Sequence, residues 1–279
     1  DDINALGTYF YYNGLKNAKV AVIGENSYNW ILTYFATVIG GNVIVPVDRD
    51  LTADAIINVL KSSGAKALIY TDTYNKIIDD IKKATGVKLI NVNEFDEILA
   101  KGRELLEKGK DKYLSAEVDI DAMSTLIYTS GTTGSAKGVV LSHRNLASNV
   151  ITCYHSCKRT EKDRWLSILP MSHTLEMTLG MLYPMYTGST VYYLPKPPVA
   201  SLLMKAMKIV KPTTMLTVPM IIEKVYKGSV LPTIQKSRTL TWMNKHMNGL
   251  MCRIIGMKLK KTFGGCITFY GIGGAKLDP

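Results

Sequence analysis

Asn42-Val-Ile-Val-Pro46, the set Ala53, Ile56, Ile57 and Leu60, and Lys66-Ala-Leu-Ile-Tyr70 follow one another within thirty residues. The first and last are short apolar runs rich in β-branched residues, the composition of buried strands. The middle set recurs at three- and four-residue spacing, which lays one apolar stripe along a helix. Strand, helix and strand in that order form a βαβ unit. Working outward, Lys19-Val-Ala-Val-Ile-Gly24 and Val87-Lys-Leu-Ile-Asn-Val92 read as further strands, and Tyr74, Ile77, Ile78 and Ile81 as a further helical stripe. Residues 94–112 are charged and helical in composition, carry Gly102 and Gly109, and form a connecting helix or loop. A second series opens near Ser124, with strands expected at 124–128, 138–141, 164–169, 189–194, 213–218 and 266–270. Alternation of this kind predicts an α/β fold of two mostly parallel sheets flanked by helices. The two series divide the chain into subdomains of 1–112 and 113–279, with ligands expected outside the carboxyl ends of the strands.

Composition narrows the partners. A chain of 279 residues that is 47% hydrophobic can bury one large core or two smaller ones, which excludes disordered and collagen-like classes. Thirty-four Lys and Arg against 23 Asp and Glu leave a net charge of +11, which favours anionic partners. Most of the excess lies between Lys205 and Lys261, where Glu223 is the one acid. A solvated lysine surface is the plain reading, and peripheral contact with anionic lipid or with cofactor phosphates is the sharper one. Nucleic acid is disfavoured, since no binding motif with interleaved aromatics accompanies the charge.

Cys153, Cys157, Cys252 and Cys266 are too few for a disulfide framework, which fits a reduced compartment. Cys153 and Cys157 stand one helical turn apart with His155 on the opposite side, so helix packing is a better account than zinc. No apolar run reaches 18 residues, and no basic-then-apolar leader follows Asp1-Asp2. The expectation is a cytoplasmic protein with membrane contact no more than peripheral. All 13 Met lie from Met123 onward, as core filling or as a pliable wall for a flexible ligand.

The chemistry concentrates in Tyr128-Thr-Ser-Gly-Thr-Thr-Gly-Ser-Ala-Lys-Gly138. Gly131, Gly134 and Gly138 let backbone N–H groups turn toward an anion. The hydroxyls of Thr129, Ser130, Thr132, Thr133 and Ser135 donate further bonds, and Lys137 supplies charge. A plain turn requires no such combination. A Walker loop is excluded: Ser135 and Ala136 separate Gly134 from Lys137, Gly138 stands where the magnesium-binding hydroxyl belongs, and Val139-Val-Leu141 continues as strand.

That spacing resembles the signature loop of the adenylate-forming superfamily, which includes acyl-CoA synthetases, luciferases and the adenylation domains of peptide synthetases. Leu141-Ser-His-Arg-Asn-Leu146, Leu169-Pro-Met-Ser-His-Thr-Leu-Glu176, Val218-Pro-Met-Ile-Ile-Glu-Lys224 and Ile267-Thr-Phe-Tyr-Gly-Ile-Gly-Gly-Ala-Lys-Leu-Asp-Pro279 follow in the order this family has them. Val22-Ile-Gly-Glu-Asn-Ser27 and Val45-Pro-Val-Asp48 look like its first subdomain. Long-chain fatty acid CoA ligases are the branch most resembled, on Glu176, the lysine-rich insert and the Gly-Gly-Ala-Lys-Leu form.

The resemblance implies the N-terminal portion of the adenylate-forming enzyme fold. It also implies ATP-dependent activation of a fatty acid to acyl-AMP, followed by thioester formation with coenzyme A. Lys137 and His173 would act in catalysis, Thr129 on the side of Mg2+, and the loop on the ATP phosphates. Gly273, Gly274 and Ala275 would lie against adenine, and His173, Glu176 and Met177 would border the acyl substrate. The ribose-gripping aspartate, the acidic metal ligand after the adenine segment and the domain with the catalytic lysine are parts of the family pattern beyond these residues. By themselves, then, the 279 residues are expected to bind nucleotide incompletely and turn over little. Ala136 replaces the family's usual proline. Two alternatives stay open: a non-catalytic nucleotide-binding module, and a ligase for an aryl or amino acid.

Overall fold

A computed structural model describes residues 1–129, 137–194, 199–236 and 248–274. It divides into two compact units, one of residues 1–152 with 170–177, the other of 153–169 with 178–279.

The first unit is built on a six-stranded sheet. Its strands are β1 (Lys19–Ile23), β2 (Val43–Pro46), β3 (Ala67–Tyr70), β4 (Lys88–Asn91), β5 (Met123–Thr129) and β6 (Lys137–Ser142), in the order β4-β3-β1-β2-β5-β6. All neighbours run parallel except β5 and β6, which form an antiparallel hairpin. β5 and β6, expected at the head of the second series, thus belong to the first sheet: Thr125 pairs with Ile44 of β2. The other expected strands of the first series stand where the β-branched runs placed them.

Helices α1 (Asp2–Tyr12), α2 (Tyr28–Val38), α3 (Ala53–Ser63), α4 (Ile78–Thr85) and α5 (Phe95–Glu107) complete this unit. Local chemistry sets their limits. Ser27 Oγ accepts the Trp30 N–H at 3.2 Å and opens α2, and Thr52 Oγ1 does the same for Ala55 at the start of α3. α3 stops at Gly64, whose φ of 68° closes the left-handed cap. The apolar stripe of α3 meets the sheet, so that Ile56, Val59 and Leu60 share one core with Ala21, Ile23, Val45 and Leu68. α1 packs on α5 at Gly102, where a Cβ would stand 2.0 Å from the Ala5 carbonyl oxygen, so only glycine permits the approach. Asn42, 1% exposed, ties the β1 and β2 entries together: its Oδ1 accepts from Ala18 N–H at 2.9 Å and its Nδ2 donates to Leu15 O at 2.8 Å.

The second unit carries β7 (Arg164–Ser167), β8 (Thr190–Tyr193), β9 (Thr214–Thr217) and β10 (Phe269–Ile272), all parallel in the order β10-β9-β7-β8. Its helices include α7 (Tyr183–Tyr186), α8 (Ala200–Val210), α9 (Pro219–Val225) and a helix over Asn248–Thr262. Pro219 sits in the first turn of α9, where its missing N–H costs nothing. Trp165, Leu166, Met181, Tyr183, Leu203, Met207, Met215 and Leu216 are buried here. Several methionines therefore do fill core, whereas Met185, Met220 and Met257 are exposed. α6 (His143–Ser156) runs from the first unit into the second.

Candidate active site

The β5–β6 hairpin presents the hydroxyl-rich loop. Thr129, the last residue of β5, is in register with Lys137, the first of β6, so the two side chains stand across the base of the segment they bracket. Both are exposed, as is Gly138. A Cβ on Gly138 would come within 3.1 Å of Leu126 Cδ1 and press on the hairpin's packing. Ser130, Gly131, Thr132, Thr133, Gly134 and Ser135 lie outside the described residues, and so does Ala275.

Beside the hairpin, at the carboxyl ends of β2 and β5, the first unit has an open cleft of about 990 Å³. Val47, Leu51, Val59 and Ile127 give it an apolar floor, and Asp48, Asn58, Lys61, Ser62, Tyr128, Thr129, His173 and Thr174 a polar rim. This is the position the alternation of strands and helices predicts for a ligand. The Ser62 hydroxyl donates to Tyr128 OH at 2.9 Å, tying α3 to the end of β5. His173 Nε2 lies 3.4 Å from Asp48 Oδ2. The geometry thus gathers Thr129, His173 and Asp48, the last of which closes the Val45–Asp48 segment but was given no role in the site from sequence. The signal for Asp48 is its place just beyond the carboxyl end of β2.

His173 reaches the cleft through a far part of the chain. Asn26, 4% exposed, accepts the Met171 N–H on its Oδ1 at 3.1 Å, a bond spanning 145 residues of sequence. The turn continues with His173 N–H donating to Pro170 O at 3.1 Å and Met177 N–H to His173 O at 2.9 Å. Glu176 and Met177 are buried, at 1% and 0% exposure, and Glu176 opens a π-helix over Glu176–Leu182. Such wide turns are uncommon and frequent at functional sites. The neighbouring Glu25 is held below the ordinary carboxylate range: burial raises its pKa, but the 2.6 Å hydrogen bond from Thr73 Oγ1, with weaker help from its surroundings, outweighs that.

Gly273 and Gly274 belong to the second unit. Gly273 N–H donates to Thr217 O at 3.1 Å, just past the carboxyl end of β10, and Gly274 has φ of 85°. Cys157, in the same unit, has its sulfur 3.2 Å from the Arg159 guanidinium. Among the described residues no three His, Cys, Asp or Glu side chains gather as a metal site, and no helix is long and apolar enough to cross a membrane.

Comparison with known proteins gives the family and the fold. A family model described as AMP-binding enzyme matches residues 1–279. Fatty acyl-CoA synthetase B of Dictyostelium discoideum is 29% identical over 251 residues, 81% of this chain and 36% of that protein. Malonate–CoA ligase of Arabidopsis thaliana is 28% identical over 193 residues, 67% of this chain and 31% of that protein. The fold matches the crystal structure of ATP-bound MatB from Rhodopseudomonas palustris with a TM-score of 0.73 at 20% identity, covering 98% of this chain and 49% of that one. The chain thus spans roughly a third to a half of the length of these proteins.

Proposed function

Because the chain belongs to the AMP-binding enzyme family, we propose that it is the phosphate-gripping part of a ligase that activates a fatty acid with ATP and passes the acyl group to coenzyme A. The observation that carries this reading is the hairpin: Thr129 and Lys137 stand in register, bracketing a segment of glycines and hydroxyls, and Thr129 lies on the rim of a cleft that also holds His173.

In this reading a fatty carboxylate oxygen attacks the α-phosphorus of ATP, the new oxygen–phosphorus bond forms as the bond from the α-phosphorus to the bridging oxygen breaks, and pyrophosphate leaves. The thiol of coenzyme A then attacks the acyl carbonyl and AMP leaves. Lys137 and the loop hydroxyls hold the β- and γ-phosphates, so the charge that builds on the departing pyrophosphate meets donors already in place. His173, oriented by Asp48, borders the reacting carboxylate, while Gly273 and Gly274 offer backbone against adenine. Mg2+ fits as a companion of the nucleotide, because an ion bound mainly by phosphates and water needs little more from the protein than the Thr129 hydroxyl. When bound it would neutralise phosphate charge.

The fatty acid is preferred over other acids on the likeness to the Dictyostelium synthetase and to long-chain-fatty-acid–CoA ligases of chicken and rat. Malonate is the second reading, favoured by the Arabidopsis relative. Pyrophosphate exchange in the longer protein, run with fatty acids of graded length, malonate and aryl acids, separates them. Exchange that depends on a fatty acid is expected; exchange driven by malonate or an aryl acid alone keeps the family and overturns the substrate, and exchange with none favours the non-catalytic module.

A further inference from the structure

Between 199 and 274 the sequence holds twelve Lys and Arg and a single acid, Glu223, whose carboxylate lies 3.3 Å from Lys227. That stretch also exposes large apolar side chains: Ile209 is 72% exposed and Met257 66%. Both features converge where two helices end together. α8 runs into Lys211 in a left-handed cap. The Asn248–Thr262 helix closes with Gly264 and Gly265 N–H donating to the Lys261 and Lys260 carbonyls at 3.2 and 2.8 Å. Gly264 is pressed so closely on α8 that a Cβ there would meet Met207 O at 2.5 Å and Lys211 Cα at 3.0 Å. Lys208, Ile209 and Lys211 are thereby brought to the same end of the unit as Lys260 and Lys261, and all five are exposed.

The outward face of the Asn248–Thr262 helix repeats the mixture. Leu250, Arg253, Met257 and Lys260 recur along one side, all exposed, with no acid anywhere in the helix. Ile254, one turn on from Leu250, borders that side, and Ile255 and Leu259 on the opposite side are only half-buried. A solvated lysine face has no need of exposed Ile and Met between its charges, and a packed core helix would bury its apolar side. Basic residues interleaved with exposed apolar ones are the composition of a helix that lies in a membrane interface.

We propose that this end of the second unit, formed by α8 and the Asn248–Thr262 helix, is a docking surface for an anionic phospholipid bilayer. Lysines meet the headgroups while Ile209 and Met257 enter the boundary of the acyl region. Nucleic acid would engage the lysines and leave the apolar side chains wet, so it satisfies only half of the surface. The inference is independent of the proposed reaction, because it rests on two helices of the second unit that hold none of the proposed site residues and needs no turnover.

The test is flotation of the 279-residue chain with vesicles of phosphatidylcholine, alone or mixed with phosphatidylserine. Binding is expected only to the mixed vesicles and is expected to weaken as salt is raised. Each lysine reversed should cost at least ~fivefold in partitioning, so Lys260→Glu with Lys261→Glu should cost at least ~30-fold. Lys83→Glu, an exposed change in the first unit, serves as the charge control and should cost little. Met257→Ser with Ile209→Ser should weaken binding at unchanged charge, and thermal midpoints confirm that the variants stay folded. Equal binding to both vesicle types, loss equal in the Lys83 control, indifference to the apolar changes, tighter binding to duplex DNA, or self-association that buries this face would each overturn the proposal.

Discussion

Replacing Asn26 by Ala should loosen the segment that carries His173 while leaving most of the first unit intact. The side chain is 4% exposed and its Oδ1 accepts from Met171 N–H, itself on a residue 1% exposed. Alanine offers no acceptor in its place. An orphaned buried backbone donor costs about 1–3 kcal/mol. Because the bond joins residues far apart in sequence, the cost falls on docking of 170–177 and not on any one helix. Local opening of that segment should therefore become about 5- to 150-fold more populated. Hydrogen exchange resolved by mass spectrometry reads this directly, as faster exchange in peptides spanning 170–177 with little change in the β1 and β3 peptides. The thermal midpoint should also fall by about 3–10 °C. Unchanged protection over 170–177 would refute the argument that Asn26 holds the segment, and protection lost evenly across the sheet would show that it supports the fold instead.

Three other outcomes are expected. Gly102→Ala forces a methyl toward the Ala5 carbonyl; despite the better helix propensity, about 1–3 kcal/mol should be lost, read as a lower denaturation midpoint, whereas no loss would mean α1 and α5 separate freely. Lys137→Ala should weaken nucleotide affinity in calorimetry by about 10- to 150-fold, the worth of a charge-assisted bond, with Lys137→Arg retaining part of it; an unchanged affinity would remove Lys137 from the phosphate grip. Glu25, with a folded pKa below that of an ordinary glutamate, contributes stability that is present above the unfolded pKa and is lost as pH falls through the folded pKa. Thr73→Val removes the main bond lowering it. Its destabilisation should thus be clear near neutrality and shrink in acid, and a gap independent of pH would contradict that assignment.

The βαβ series was legible because β1 to β3 are mostly buried strands with apolar runs, and α3 has its stripe on one side. α1 was not, since Ala5, Leu6, Gly7, Thr8 and Phe10 are all buried and leave no amphipathic contrast to read. β5 and β6 were legible as strands but not as members of the first sheet, because parallel pairing across a long excursion leaves no local mark. The phosphate segment announced itself by composition, and His173 by its motif. The partnership of His173 with Asp48, and the anchoring of its turn by Asn26, depend on contacts across more than a hundred residues. The π-helix after Glu176 had no signal, since its wider turn comes from packing and not from propensity.

The pairing of β2 with β5 has a consequence for how the protein assembles. β1, β2, β3 and β4 can find one another through short crossovers, and β5 with β6 can zip as a local hairpin. Joining the two requires closing the chain from Pro46 to Met123 for a contact that repays the lost entropy only once it is made. Such a step is slow. The expected order is therefore the four-stranded part first and docking of the hairpin after it. Strand β2 then offers a bare edge to whatever strand arrives first, and the cleft beside Asp48 does not exist until that edge has been filled by the right one.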